Sequence, residues 1–372
     1  MDSCDALIIG GGPAGSSCAW KLVEAGLDVV VMDRAAFPRD KVCAGWITPP
    51  VVAALDLDCA DYQRGRTFQP ITGFRVGLLG GERDVDTQYS RAVSFGIRRC
   101  EFDHYLLERS GARLRLGAAV SSLRREGVRW VVNEAITTPV LIGAGGHFCP
   151  VARQLNPVND RSALVAAQEA EFPLDDEGID AWDVSPEKPE LYFCRDMKGY
   201  GWCFRKGEYL NVGIGRLDGG SLTAARAEFV AFLQTRRQIP TDPPIHWRGH
   251  AYLVAQPPRR TVAGPGVLLA GDAAGLAYPE SGEGILPAIE SGILAAGTIV
   301  AAKGRYMREQ FESYERSLLA RFGRSADLLS RAIPSAVTEA LVPRLIVTPW
   351  FVRHFVIDRW FLHAGRPPFS VS

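Results

Sequence analysis

Short apolar runs and stretches of helical period alternate along the first part of the chain. Ala6 to Ile9 is a four-residue apolar run that ends in glycine. Ala14 to Ala25 carries apolar residues at helical spacing and stops at Gly26, and Val29 to Met32 is a second apolar run. Brief apolar runs bounded by glycine mark buried strands, and a 3.6-residue period closed by glycine marks a capped helix. The pattern therefore predicts strand, tight turn, helix, strand. Ile71 to Phe95 then alternates around Gly80 and Gly81, which predicts a hairpin. Helical period returns in RCEFDHYLLERSGA, where Phe102, Tyr105 and Leu106 share a stripe, and Val140 to Ile142 predicts another buried strand ending in Gly143, Gly145 and Gly146. Leu191–Phe193, Gly201–Phe204 and Tyr209–Ile214 predict a meander of alternating aromatic and small residues. Val267 to Ala270 predicts a strand, followed by a helix from Gly284 to about Ala302. Beyond Arg305 the pattern is helical, with a break at Pro334 and an aromatic tail over 341–363 in which Arg353, His354, Asp358 and Arg359 are interleaved.

These elements predict an α/β fold. A Rossmann-like nucleotide-binding domain is expected from residues 1–66, 96–160 and 261–303, with an antiparallel-sheet substrate domain (67–95 and 161–260) inserted into it and a helical C-terminal region (304–372). A length of 372 residues suits two joined cores. Hydrophobic content of 47%, charged content of 23% and zero net charge are those of an ordinary globular protein and give no global attraction for nucleic acid. Eight cysteines without a C-x-x-C pair or interleaved histidines predict free thiols and no metal site. No uncharged apolar run approaches the ~20 residues that span a bilayer, and Met1 stands just before the first strand. A cytoplasmic location is expected, with peripheral membrane contact through the tail as the open alternative to core packing there.

The chemistry centres on the first turn. Gly10, Gly12 and Gly15 have the G-x-G-x-x-G spacing, with Asp33 and Arg34 closing the second strand. Gly10 permits the turn, Gly12 lets a pyrophosphate approach the backbone, and Gly15 lets the helix lie close on the strand. The helix start offers free N–H groups to phosphates, and Asp33 is placed for a ribose. Gly145 ends a strand at the same sheet edge, and Arg99 opens a helix from which it can clamp a pyrophosphate. Asp272 is placed for a polyol chain and the helix start at Gly284 for a ring carbonyl, so the 272–285 stretch supplies what FAD needs beyond its ADP half; NAD alone would leave it without purpose. The Lys41–Gly45 turn sets the Cys43 thiol among small neighbours beside a cation. Tyr200, Trp202, Phe204 and Tyr278 are candidates for the substrate side. Gly213 and Gly215 do not make a second fingerprint, because the third glycine is misplaced and no strand ending in an acid follows.

Together, GGGPAG (10 to 15), FPRDKVCAG (37 to 45), RRCEFD (98 to 103), GYGWCFRKGEYLNVGIG (199 to 215) and GDAAGLAYPESGEGI (271 to 285) resemble the geranylgeranyl reductase family of FAD-dependent oxidoreductases, within the glutathione-reductase-type superfamily that also holds aromatic hydroxylases and flavin-dependent halogenases. The resemblance covers residues 5 to 300. It implies that Gly12, Ala14 and Gly15 cradle the pyrophosphate of FAD, Asp33 binds ribose, Arg99 steadies the phosphates, Val120 lies near adenine and Asp272 holds the ribityl or phosphate region. Cys43, Ala44, Gly45, Gly284 and Ile285 would surround the isoalloxazine. The chain departs from the family where Ala44 stands for glycine and Arg205 for proline, and it lacks the Trp-x-Trp-x-Ile-Pro motif of the halogenases. The expected reaction is hydride transfer from reduced flavin to a carbon–carbon double bond of an apolar, isoprenoid-like substrate, with Cys43 as proton donor and NAD(P)H or a reductant protein as transient electron source. The alternatives are a monooxygenase acting on an aromatic or polyketide-like substrate and an electron-transfer flavoprotein.

Overall fold

The computed structural model describes residues 1–157, 164–174, 182–217, 222–240, 246–253, 260–323, 342 and 344–370. Pro334 and residue 341 lie outside them. In chain order the elements that position the site are Ala6–Ile9 (β1), Pro13–Glu24 (α1), Val29–Asp33 (β2), Gly73–Leu78 (β3), Asp84–Gln88 (β4), Arg99–Arg109 (α2), Arg113–Leu116 (β5), Val140–Gly143 (β6), Leu164–Pro173 (β7), Glu190–Phe193 (β8), Gly199–Lys206 (β9), Tyr209–Arg216 (β10), Leu222–Thr235 (α3), Arg248–Leu253 (β11), Ala263–Gly264 (β12), Val267–Leu269 (β13) and Ile285–Ala301 (α4).

The first sheet has the order β12-β13-β6-β1-β2-β5. Every neighbouring pair is parallel except the β12–β13 hairpin. All four residues of β1 and of β6 are buried, as expected of parallel strands covered on both faces. Helix α1 lies hard against β1: a Cβ on Gly15 would stand 1.8 Å from the Gly10 carbonyl oxygen, so only glycine permits this approach.

The second sheet has the order β11-β7-β10-β9-β8-β3-β4. It is antiparallel except where β8 meets β3. Helix α3 covers one face, burying Ala225, Phe229 and Leu233 in a cluster with Tyr192, Cys203 and Val212. On the other face lies the C-terminal segment: Val352, Val356, Ile357 and Phe361, from the π-helical turn Val352–Phe361, are buried in a cluster with Phe74, Val76, Leu191 and Trp202. Phe361 is thus the buried aromatic of the described tail, whereas Phe351, Phe355 and Trp360 are half-buried and Trp350 is 62% exposed. A small sheet of Trp46–Ile47, Ser94–Ile97 and Phe68–Ile71 lies outside both larger sheets. Among the described residues, no helix is long and apolar enough to cross a membrane.

Candidate functional site

A cavity of about 730 Å³ is walled by residues of both large sheets. The first sheet contributes the ends of its strands and the start of α1: Gly10, Gly12, Ala14, Asp33, Arg34 and Gly145 all line it, as does Val120. Gly10 adopts φ +115°, and a Cβ there would meet the Ala144 carbonyl oxygen at 2.4 Å. The N-cap of α1 is Gly12, which has no side chain to cap the helix, so the first N–H groups of α1 are left for a ligand. Asp33 accepts hydrogen bonds from the Gly11 and Ala35 amides at 2.7 and 2.8 Å, which fixes its carboxylate at the cavity edge.

A cavity of this size, a helix start without a side-chain cap and an acid at the end of the second strand fit the ADP part of FAD. The buried Nδ1 of His147, which has no hydrogen-bond partner among the described residues, also belongs to the cavity lining and fits a polar ligand there.

The loop from Phe37 to Gly45 passes between the sheets, and side chains from elsewhere hold it along its length. Arg39 is 3.2 Å from Asp103, Asp40 pairs with Arg248, and Lys41 Nζ lies 2.5 Å from Nε2 of His250. The Cys43 amide donates to Glu169, and the Cys43 carbonyl accepts from Asn211 at 3.4 Å. The Ala44 carbonyl accepts from Lys206 at 3.1 Å. Lys206 is 1% exposed; its Nζ also reaches the Ile97 carbonyl at 3.1 Å and Glu171 at 2.5 Å.

Burial shifts several of these groups. It lowers the Lys41 amine to about 8, and it raises Glu169 to about 7 against the pull of Lys206. Burial also works against charge on Asp272, but His250 and Lys41 beside it outweigh that and hold its carboxyl below the usual range.

Most predicted site residues come together. Cys43, Ala44, Arg99, Asp272, Gly284, Ile285, Tyr200 and Trp202 line the same cavity. Arg99 does so with its guanidinium already held, donating from Nε and Nη2 to Asp103 at 2.8 Å each.

Gly15 serves the packing of α1 on β1, as its place in the spacing predicts, and is not itself in the cavity lining. Three residues are placed differently. Gly45 is turned to Ile97 and Lys206, and a Cβ there would come within 2.2 Å of the Ile97 carbonyl. Phe204 is 1% exposed and packs against Trp46, with centroids 5.7 Å apart, rather than against the cavity. Tyr278 is buried beside His363, centroids 4.2 Å apart, and its hydroxyl accepts from Arg366. The Lys41 amine is engaged by His250 and also lies close enough to the Cys43 thiol to interact with it, and the Arg99 guanidinium donates to that thiol.

Several lining residues carried no motif: Trp46, His250, Tyr252 and Phe361. Phe361 stacks on Trp46 at 5.3 Å, with ring planes 5° apart, and meets Tyr200 edge-on at 5.5 Å. These rings and Trp202 form a continuous aromatic wall next to the Cys43 turn.

Comparison with known proteins agrees with this geometry. Residues 5–69 match the family model described as FAD dependent oxidoreductase. The chain is 31% identical over 317 residues to a menaquinone reductase of Mycobacterium tuberculosis, covering 79% of this chain and 76% of that protein. It is 30% identical over 311 residues to a geranylgeranyl diphosphate reductase of Rhodobacter capsulatus, covering 80% and 75%. The crystal structure of a geranylgeranyl bacteriochlorophyll reductase-like protein from Thermoplasma acidophilum superposes with a TM-score of 0.76 at 21% identity, over 94% of this chain and 88% of that one, which shows the shared fold. With its glycine turn, its cavity and relatives aligned over most of its length, the chain belongs to the geranylgeranyl reductase family of FAD-dependent oxidoreductases.

Proposed function

We propose that this oxidoreductase reduces carbon–carbon double bonds of an apolar, isoprenoid-like substrate. The observation that carries the reading is the aromatic wall of Trp46, Tyr200, Trp202, Tyr252 and Phe361 lining the same cavity as the Cys43 turn. Such a surface favours hydrocarbon over a charged or sugar-like ligand. The relatives support it, since those named above are reductases of menaquinone and of geranylgeranyl diphosphate.

When bound and reduced, FAD supplies the hydride. The chain does the rest. The glycine turn and the α1 start hold the phosphates, Asp33 the ribose, and Asp272 the polyol chain. The aromatic wall orients the alkene and excludes water, and the Cys43 thiol gives a proton to the carbon that does not receive the hydride. The single complete glycine fingerprint is taken by FAD, so electrons arrive from NAD(P)H bound transiently or from a reductant protein.

The test is anaerobic. FAD-loaded protein reduced with dithionite is mixed with a geranylgeranyl-bearing lipid or a menaquinone, and flavin reoxidation and product mass are followed. The expected result is reoxidation with a gain of two hydrogens per double bond. Consumption of an organic substrate only after oxygen is admitted would make the protein an oxygenase. Reoxidation by a partner protein alone would make it an electron carrier.

A further inference from the structure

Side chains two residues apart on a strand share a face. On β7 this places Ala167, Glu169 and Glu171 in a row toward the Cys43 turn: Ala167 lines the large cavity, Glu169 accepts from the Cys43 amide, and Glu171 is held by Lys206 and Arg98. A second cavity of about 220 Å³ adjoins the same turn. Its lining includes Arg98, Glu169, Glu171 and His246, and it shares Asp40, Lys41, Cys43, Arg99 and Arg248 with the large cavity. The turn is therefore the partition between an aromatic-walled chamber and a small charged one.

The cations of the small chamber are largely committed to carboxylates in or beside it. Arg98 pairs with Glu101 and Glu171, Arg248 with Asp40, and Arg99 with Asp103. Glu169 is 7% exposed and has the Cys43 amide as its hydrogen-bond donor. The charged groups around it are Lys206 and Glu171 from the second sheet, Arg99 from α2, and Arg248, its register partner on β11. Burial prevails over the cations and keeps its pKa near 7, so close to neutral pH the carboxyl can both hold and release a proton.

We propose that Glu169 is the proton reservoir for Cys43, drawing protons from solvent through the small cavity and returning one to the thiolate in each turnover. This rests on the reading of Cys43 as proton donor. Saturating one double bond places a hydride on one carbon and a proton on the other. The thiol S–H bond breaks as the second C–H bond forms. The resulting thiolate takes the proton of the Glu169 carboxylic acid, and the carboxylate is reprotonated from water in the small cavity. One solvent proton is consumed, and neither Cys43 nor Glu169 changes oxidation state. An apolar substrate filling the large cavity closes that side to water, which leaves the charged chamber as the route.

The test compares Glu169→Gln, Glu169→Asp and Cys43→Ser in the FAD-loaded protein. Glutamine keeps an acceptor for the Cys43 amide but cannot carry the proton. E169Q is expected to bind FAD normally, to complete a first anaerobic turnover, and then to lose roughly tenfold or more in kcat with KM nearly unchanged. Its kcat–pH profile should lose the inflection near 7, and E169D should restore part of the rate. Independently of turnover, the alkylation rate of Cys43, followed by mass spectrometry of its peptide, should show an inflection near pH 7 that disappears in E169Q. If C43S is inactive while E169Q keeps the wild-type kcat and both pH profiles, the reservoir is overturned and Cys43 stands. If C43S turns over at the wild-type rate, both assignments fall.

Discussion

The indole of Trp202 lies over Gly213, its register partner on the next strand, so closely that a Cβ on Gly213 would stand 2.1 Å from Cζ2 of the ring. The indole Nε1 donates to Asn211 Oδ1 at 2.7 Å, which fixes the ring in that place. The glycines of NVGIG thus form a seat for one aromatic of the cavity wall. Gly213→Ala should force the ring off its seat and cost about 1–3 kcal/mol, as overpacking does. Urea unfolding would measure the loss. FAD binding should be unchanged, and KM for an apolar substrate should rise as the wall deforms.

Gly12 faces the cavity at the start of α1, with Arg39 3.3 Å from where a Cβ would be. Gly12→Val should fill the space that a pyrophosphate needs and weaken FAD binding by about two orders of magnitude, roughly 3 kcal/mol. Absorbance of the purified protein and quenching of added FAD would show it, and an unchanged circular dichroism spectrum would show that the fold remains. A G12V protein that stays fully yellow would remove the glycine turn from the FAD site.

Lys206 ties the Cys43 loop to the second sheet through Ala44, Ile97 and Glu171. Lys206→Met should cost about 3 kcal/mol, because a buried carboxylate loses its closest cation and two carbonyls lose a donor. Arg98 still reaches Glu171 at 2.9 Å, which keeps the loss at the low end. In K206M/E171Q part of the stability should return, and a double-mutant cycle by denaturant unfolding should give a coupling of about 1 kcal/mol or more. Strict additivity would mean that the pair contributes nothing beyond its separate members.

Contacts local in sequence were legible from it, and those that close the site over long separations were not. The glycine turn, Asp33 and α1 lie within one strand–helix–strand unit, where spacing and period carry the information. The Cys43 loop is different: Glu169 meets it across 126 residues, Lys206 across 162 and His250 across 209. No local pattern announces such pairs, although the two acids of QEAEF on one face of a strand are a signal, since a buried sheet seldom carries charge without a partner. Phe204 was misplaced for a related reason: a strand's period tells which residues share a face, but not whether that face meets a ligand or the core. Tyr278 stands in the loop between Gly271–Ala273 and α4, where no period places a side chain at all. The tail was ambiguous because an apolar and aromatic segment suits a sheet as well as a lipid surface; in the structure Phe361 stacks on Trp46, whereas Trp350 stays exposed.

Glu169 and Glu171 stand on the same strand face, yet burial raises the first to about 7, while Lys206 and Arg98 overcome burial at the second and lower it. The raised group has a definite sign in the stability of the protein. Between the ordinary 4.5 and about 7, the folded chain holds a proton on Glu169 that the unfolded chain has lost. Stability from this residue is therefore full below 4.5, falls as pH rises through that window, and levels off above about 7. At about 1.4 kcal/mol per pH unit, the fall from this one group is roughly 3 kcal/mol at most. In E169Q the residue is neutral in both states, so the difference in unfolding free energy between E169Q and the wild type should change by that amount in favour of E169Q between pH 4.5 and 7.5, and be constant above it. Urea unfolding of the two proteins across the window, each saturated with FAD, checks this. Parallel curves would show that the Glu169 carboxyl titrates as it does in water, and that burial beside the Cys43 turn does not hold its proton.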